Sequence, residues 1–150
     1  MKKILICSDS HGAKSNIDIL INDYKYDYFI YLGDGLEDLK HYEYLPELHK
    51  VRGNCDFFSA EKDKETFFID NFKFLITHGN EFKVKRGLGA LINFAKEINA
   101  DFVLYGHTHN YDIQEIDGMT FINPGSLYSG RALLLELSEN EKKFTPIKLG

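Results

Sequence analysis

Seven side chains of the types that bind metal ions lie just after five apolar, strand-like runs of the sequence. They are Asp9, His11, Asp34, Asn54, His78, His107 and His109. Carboxylates, imidazoles and oxygen donors suit divalent metals such as Mn, Fe, Ni and Zn. Two further histidines, His41 and His49, lie outside these clusters, and we expect both to be ordinary surface residues. The pattern predicts a metal site assembled from several loops.

The five runs that precede these side chains have the composition of short β-strands. They are Lys3–Cys7, Tyr28–Leu32, Lys50–Arg52, Lys73–Thr77 and Phe102–Tyr105. In sheets of the α/β class, loops beyond the carboxyl ends of strands form the crevice where ligands bind. Side chains that are distant in sequence can therefore converge there. Glycines beside the clusters permit backbone bends, and without a β-carbon they let a bound group approach the backbone closely.

The remaining elements indicate the architecture. Further strands are predicted at Thr66–Ile69, Ile113–Ile116, Met119–Ile122 and Ala132–Leu137, with tight hairpin turns at Asp70-Asn71 and Asp117-Gly118. Apolar spacing predicts helices over Ser15–Tyr24, with Ser15 as N-cap, and over Arg86–Asn99. Strands and helices alternate early and strands dominate late. This order predicts an α/β fold in which two mixed β-sheets pack as a sandwich flanked by helices.

Length and composition predict one globular domain covering residues 1–150. The chain is 43% hydrophobic and 27% charged, and it has no low-complexity tract. No run approaches the roughly 20 apolar residues that span a membrane, and Asp9 cuts the apolar start too short for a signal peptide. Two cysteines, Cys7 and Cys55, give no disulfide framework. We therefore expect a cytoplasmic protein with no membrane partner.

The charge balance bears on the substrate. A formal net charge of -5 argues against a nucleic-acid polymer as partner, because phosphate contacts need grouped Lys and Arg. The one basic cluster, Lys83, Lys85 and Arg86, is expected to be a solvated helix start. A small phosphorylated substrate fits this balance, since bound cations can supply local positive charge. An aromatic content of 14% would also allow a homo-oligomer, without locating its interface.

The ordered motifs D-x-H, G-D, G-N, H-G and G-H-x-H resemble those of the calcineurin-like metallophosphoesterase superfamily. The resemblance runs from Asp9 to His109, about two thirds of the chain. The sequences Gly53-Asn54-Cys55-Asp56 and Asn123-Pro124-Gly125-Ser126 resemble the compact bacterial and archaeal phosphodiesterase branch. The resemblance implies a β-sandwich flanked by helices that binds two divalent metals, with Mn²⁺ favoured and Fe, Ni or Zn possible.

The resemblance also implies a role for each matching residue. Asp9, His11 and His109 would hold the first metal, while Asn54, His78 and His107 would hold the second. Asp34 would bridge the two ions, and we expect Asp34, Asn54 and His107 to take part directly in catalysis. A hydroxide shared by the metals would attack the phosphorus of a small phosphate diester. The absence of thiolates among these ligands gives little reason to prefer zinc.

Two positions depart from the wider superfamily. Cys55 stands where many members have a histidine that protonates the leaving group, and a neutral thiol is the poorer proton donor near pH 7. We therefore expect activated diesters to be better substrates than ordinary monoesters. Gly130-Arg131 stands where a Pro-Arg pair is often found, and Arg131 is a candidate substrate-binding residue through a phosphate oxygen.

Two other functions remain open. The first is a non-enzymatic scaffold, because a retromer subunit resembles this branch while lacking some metal ligands. The second is a nuclease, since the superfamily includes enzymes that cleave DNA. Substrate specificity is expected in the loops Leu36–Pro46 and Phe57–Lys64. Their aromatic residues Tyr42, Tyr44, Phe57 and Phe58 either stack on a nucleotide base or pack locally, and we favour local packing.

Overall fold

A computed structural model describes residues Met1–Gly150 and contains ten strands in two sheets. The strands are β1 (Lys2–Cys7), β2 (Tyr28–Tyr31), β3 (Leu48–Lys50), β4 (Lys64–Ile69), β5 (Phe72–Thr77), β6 (Phe102–Leu104), β7 (Asp112–Ile116), β8 (Met119–Asn123), β9 (Arg131–Leu137) and β10 (Lys142–Lys148). The first sheet has the order β10-β9-β1-β2-β3. The second has the order β4-β5-β6-β8-β7.

Both sheets are mixed, as the sequence predicts. In the first sheet β1 and β3 pair in parallel with β2, while β9 pairs antiparallel with β1 and β10. In the second sheet β5, β6 and β8 are parallel neighbours, and the antiparallel strands β4 and β7 form the edges. The hairpin turns at Asp70 and Asp117 are confirmed, and both residues adopt a positive φ typical of tight turns.

The sheets pack face to face and each is covered outside by a helix. The helices are α1 (Lys14–Asp23) and α2 (Gly89–Glu97), and no helix of the chain has the length and apolar content that crossing a bilayer needs. In β1, Ile4 and Ile6 join the core between the sheets, while Leu5 and Cys7 join the core under α1. A strand buried on both faces is apolar throughout, which explains the continuous apolar run at the start of the sequence.

The second sheet is covered in the same way by α2. Leu91 and Ala95 of α2 are fully buried in one cluster with Leu75, Val103 and Phe121 of the sheet. The spacing of apolar residues therefore identified the buried face of this helix correctly. The resulting order of layers is helix, sheet, sheet, helix, and the predicted fold class is confirmed.

Several element boundaries differ from the sequence prediction. Strand β10 is not among the predicted strands; it contains Pro146, and the structure places it at a sheet edge, where proline is tolerated. Helix α2 begins later than predicted, since Gly87 has a φ of 120° that no α-helix contains. Ser15 is wrong as an N-cap: it lies inside α1, and Ala13 occupies the cap position.

Candidate metal centre

Six of the seven predicted ligands come together where the carboxyl ends of β1, β2, β5 and β6 meet. They form two groups of three, Asp9 with His11 and His109, and Asp34 with His78 and His107. Within each group the potential ligand atoms lie within 4.8 Å of one another. Together these six residues are called the metal centre below. The first group is the set that the resemblance assigns to one metal, whereas the second contains Asp34 in place of Asn54.

Two buried carboxylates hold the metal centre together. Asp9 Oδ1 lies 3.1 Å from His109 Nε2 and 3.5 Å from His11 Nε2. Asp34 Oδ2 lies 3.2 Å from His78 Nε2 and 3.7 Å from His11 Nε2. His11 therefore faces both carboxylates and connects the two groups.

The donor set fits divalent cations. Asp9 is fully buried and Asp34 is 3% exposed, yet neither forms an ion pair with a lysine or arginine. Buried carboxylates normally need a cation or several hydrogen bonds. Asp9 Oδ2 accepts from Ser8 Oγ and Asp34 Oδ1 accepts from the Cys55 N–H, while the other oxygen of each carboxylate faces imidazoles, which are themselves metal ligands when neutral.

The backbone of the metal centre is strained. Asp9, His11, Asp34, His107 and His109 all have φ between 42° and 69°. Residues other than glycine rarely adopt this left-handed backbone conformation, and each one that does costs on the order of 1 kcal/mol or more of folding free energy. Strain of this kind concentrates at functional sites because the surrounding fold must impose it. The strained residues are five of the six members of the metal centre.

Backbone hydrogen bonds fix the loops against one another. The Asp9 N–H donates to Gly33 O at 2.9 Å, which ties the loop after β1 to the loop after β2. The His107 N–H donates to Asp9 Oδ2 at 3.1 Å and so ties the second sheet to the first. The ligands of both sheets are therefore held before any ion binds.

The two ring nitrogens of His78 have different partners. Its Nδ1–H donates to Leu32 O at 2.7 Å, while Nε2 lies 3.2 Å from both Asp34 Oδ2 and His107 Nδ1. Burial lowers the pKa of His78, but the Asp34 and Asp9 carboxylates outweigh it and raise the pKa above its ordinary value. Burial raises the pKa of Asp34, but the hydrogen bond with His78 and its charge hold it at about 2. Asp34 is therefore ionised at neutral pH.

Asp56 organises the loops and was not identified from the sequence. Its carboxylate accepts four backbone N–H groups, two from Asp34 and Gly53 on Oδ2 and two from Gly35 and Leu36 on Oδ1. The four distances lie between 2.8 and 3.1 Å. The side chain thereby locks the Asp34 loop to the Asn54 loop. Only its place beside the G-N motif pointed to such a role.

A second buried network supports the loop after β1. Ser10 Oγ donates to Asp38 Oδ2 at 2.6 Å, and the Gly12 N–H donates to the same oxygen at 2.9 Å. Tyr31 donates to Ser10 Oγ and accepts from the Ser10 N–H. This network surrounds the backbone between Asp9 and His11 and helps to impose its strained conformation.

The glycine of the G-N motif is required by space rather than by backbone conformation. A β-carbon on Gly53 would lie 2.1 Å from Asp34 Oδ1 and 2.5 Å from the Asp34 nitrogen. Both separations are far below ordinary van der Waals contact, and the backbone atom cannot be displaced by a rotamer change. The backbone of Gly53 therefore lies close against Asp34, as the glycines beside the clusters predict.

Asn54 and Cys55 lie at the open side of the centre. Asn54 is exposed, and its Nδ2 lies 3.5 Å from Cys55 Sγ. Cys55 Sγ groups with ligand atoms of His11 and Asp34 within 4.8 Å, so a thiol stands beside the centre although none was expected among its ligands. Partial burial and then the Asp34 carboxylate raise the pKa of this thiol, which keeps it protonated at neutral pH.

The loop Asn123-Pro124-Gly125-Ser126 packs against the metal centre. Ser126 Oγ donates to Asp9 O at 2.9 Å, and Asn123 Nδ2 donates to Thr108 Oγ1 at 2.9 Å, between His107 and His109. Arg131 is exposed at the start of β9, and its side chain forms no hydrogen bond or ion pair. A role for Arg131 in binding substrate stays a prediction.

The aromatic residues of the two candidate specificity loops do not behave alike. Tyr42 packs on the core under α1 and donates to Asp18, as local packing predicts. Phe57, Phe58 and Tyr44 are instead strongly exposed. For these three residues the preference for local packing was wrong.

A family comparison agrees with the fold and the ligand geometry. The model of the calcineurin-like phosphoesterase superfamily domain matches residues 1–135, most of the chain. The chain belongs to this superfamily. The family uses divalent metals, and the ligand groups described above are compatible with that chemistry.

Individual relatives span enzymes and a sorting protein. The chain is 32% identical over 126 residues to a probable metallophosphoesterase, YsnB, of Bacillus subtilis, covering 83% of this chain and 74% of that protein. It is 35% identical over 88 residues to a phosphodiesterase of Methanocaldococcus jannaschii, covering 55% and 42%. It is 32% identical over 105 residues to vacuolar protein sorting-associated protein 29 of Schizosaccharomyces pombe, covering 67% and 56%.

A solved structure shows the same fold. It is a predicted phosphoesterase from Streptococcus pneumoniae, which superimposes with a TM-score of 0.87 at 24% identity and covers 98% of this chain and 89% of its own. At this identity the likeness concerns the fold.

Proposed function

We propose that this protein is a two-metal phosphodiesterase that hydrolyses a small phosphate diester. The observation that carries the proposal is the pair of ligand groups joined through His11, in which the buried Asp9 and Asp34 carboxylates face histidines and no lysine or arginine. The family and the archaeal phosphodiesterase relative support the same class of reaction.

Each residue of the centre has a proposed role. One cation would be held by Asp9, His11 and His109, the other by Asn54, His78 and His107, with Asp34 shared between them. When bound, the two cations would lower the pKa of a shared water and neutralise charge on the phosphate oxygens. Mn²⁺ is the favoured metal, with Fe, Ni or Zn as alternatives.

The chain itself supplies orientation. The bond from His78 Nδ1–H to Leu32 O fixes the tautomer, and the low pKa of Asp34 keeps its carboxylate ionised throughout the neutral range. The four bonds to Asp56 and the contact of Ser126 with Asp9 O hold the ligand loops in place. Pre-positioned ligands reduce the cost of assembling the reactive geometry.

The preference for diesters follows from the side chain at the open face. Cys55 replaces the histidine that donates a proton in many relatives, and the raised pKa of its thiol makes it a poorer proton donor near pH 7 than an imidazolium. A good leaving group needs no proton, so activated diesters are the expected substrates. A diester also carries less negative charge than a monoester, which suits a site whose protein charges are acidic.

The test compares bis-p-nitrophenyl phosphate with p-nitrophenyl phosphate on metal-stripped protein, with and without added Mn²⁺. We expect metal-dependent release of p-nitrophenol that favours the diester. Elemental analysis of the reloaded protein should give two ions per chain. Equal cleavage of both compounds would contradict the diester preference.

The two remaining functions are distinguished by further outcomes. Two bound metals with no cleavage of either ester would favour a scaffold, a possibility kept open by the relative named for vacuolar protein sorting. Metal-dependent cleavage of single-stranded DNA at low ionic strength would favour a nuclease. The net charge of -5 argues against that result.

A further inference from the structure

A cleft of about 480 Å³ opens beside the metal centre, and this volume suits a small organic group. It lies between the segment that begins at Leu36 and the segment from Cys55 to Glu61. Cys55 lines the cleft, and its Sγ lies within 4.8 Å of ligand atoms of His11 and Asp34. A phosphate held at the metal centre would thus place one of its ester arms at the mouth of this cleft.

Two adjacent phenylalanines form the apolar wall of the cleft. Phe57 is 73% exposed and Phe58 is fully exposed at 103%, although both follow directly on the Asn54 loop. Exposed aromatic side chains cost hydrophobic free energy, and a pair of them beside a reactive centre is typical of a ligand groove. Neither ring packs on the core clusters of the fold.

Hydrogen bonds hold the backbone that carries the two rings close to the metal centre. The four backbone N–H groups bound by Asp56 anchor the residue immediately before Phe57. The Ser59 N–H donates to Asp56 O at 3.2 Å, and Arg52 Nη1 donates to Ser59 O at 3.3 Å. The turn that carries both rings is therefore closed on each side.

The charges around the cleft select the kind of group that it can hold. The charged residues that line it are Glu37, Lys40, Glu43, Lys50, Asp56 and Glu61. Lys40 is paired with Glu37 at 2.9 Å, and Lys50 is paired with Glu61 at 3.2 Å and Glu43 at 3.5 Å. No unpaired lysine remains to bind an anionic arm such as a second phosphate, whose charge would therefore be uncompensated in the cleft. An uncharged ring has no charge that needs compensation.

We propose that Phe57 and Phe58 form a subsite for an uncharged aromatic ring on one arm of the substrate diester. The inference rests on the proposed phosphodiesterase function and narrows its substrate class. Stacking of a flat ring on an exposed aromatic side chain is sequence-tolerant and contributes enough to change binding about tenfold. The natural substrate is then a diester that carries at least one aromatic or heteroaromatic group.

The test is calorimetric titration of the Mn²⁺-loaded protein with phenylphosphonate and methylphosphonate, two phosphate analogues of which only the first carries an aromatic ring. The affinity for phenylphosphonate should be about tenfold higher. The double variant Phe57→Ala/Phe58→Ala should reduce this ratio to near one, mainly through loss of affinity for phenylphosphonate. The matched control is Phe68→Ala, an exposed phenylalanine on β4 outside the cleft, which should keep the ratio.

The experiments distinguish a wrong subsite proposal from a wrong phosphodiesterase proposal. A wild-type ratio near one, or an unchanged ratio in the double variant, would overturn the subsite while metal-dependent cleavage upheld the function. If bis-p-nitrophenyl phosphate is not cleaved, the same titration still decides the subsite, because it requires binding and no turnover. Equal affinities would overturn it, and a preference for the phenyl compound that the double variant loses would uphold it. A dimer that the double variant abolishes would instead assign the rings to self-association.

Discussion

Replacing Gly53 by alanine should disable the metal centre without changing any ligand. The added β-carbon would lie 2.1 Å from Asp34 Oδ1 and 2.8 Å from Asp34 Cγ, so the carboxylate must move by about 1 Å to restore van der Waals contact. Gly53 has no left-handed φ, so alanine is compatible with its backbone and the effect is steric. The displaced oxygen is the one that accepts the Cys55 N–H at 2.7 Å.

The magnitude follows from these contacts. Loss of a hydrogen bond to a charged carboxylate costs about 1.5–3 kcal/mol, and overpacking of a tight site costs about 1–3 kcal/mol. We expect the free energy of unfolding of metal-free protein to fall by about 3–5 kcal/mol. A displacement of about 1 Å at a ligand also reduces turnover about 100-fold.

The assay measures urea unfolding of metal-free protein, Mn²⁺ binding by calorimetry and hydrolysis of bis-p-nitrophenyl phosphate. Gly89→Ala is the matched control, because a β-carbon there meets nothing within 4 Å and the residue begins α2. That change should leave hydrolysis intact and stabilise the helix by up to about 1 kcal/mol. If Gly53→Ala binds two Mn²⁺ ions with unaltered affinity and turns over within twofold of wild type, the steric reasoning is refuted.

Three further predictions concern single side chains. Asp34→Asn should remove one of two Mn²⁺ ions and nearly all turnover while circular dichroism stays unchanged; near-normal turnover would contradict its bridging role. Cys55→His should raise hydrolysis of p-nitrophenyl phosphate, since an imidazolium can protonate the leaving group; a lower rate with both metals bound would count against this account. Burial and then Asp112 raise the pKa of Tyr105 to about 12. The neutral phenol therefore stabilises the fold below about pH 10, and this contribution is lost as the pH rises toward 12. In urea unfolding, the Tyr105→Phe variant should not lose free energy of unfolding in this way as the pH rises. Identical pH profiles of wild type and variant would contradict this assignment.

Ligand types and their order were predictable from the sequence because both are local properties. Each ligand follows a run whose apolar composition predicts a strand, and five such runs were recognised. The rule that loops at carboxyl strand ends converge then placed the site. The same local signals predicted two mixed sheets with helices outside, which the structure confirms.

Local signals failed where a residue's neighbours are distant in sequence. Strand β10 contains Pro146, and only its edge position opposite β9 makes that proline acceptable. The exposure of Phe57 and Phe58 could not be read from their composition, because aromatic residues are usually buried. In both cases the deciding quantity is the position of the segment in the folded chain.

The sequence by itself determined which atoms are available as ligands and that they lie at strand ends. The tertiary structure decided which of them meet: His11 between Asp9 and Asp34, His78 against Leu32 O, and Cys55 at the open side. It also decided that Asp56 binds four backbone N–H groups. The physical reason is that these distances depend on strand register and on the packing of one sheet against the other, which bring together residues up to about a hundred positions apart.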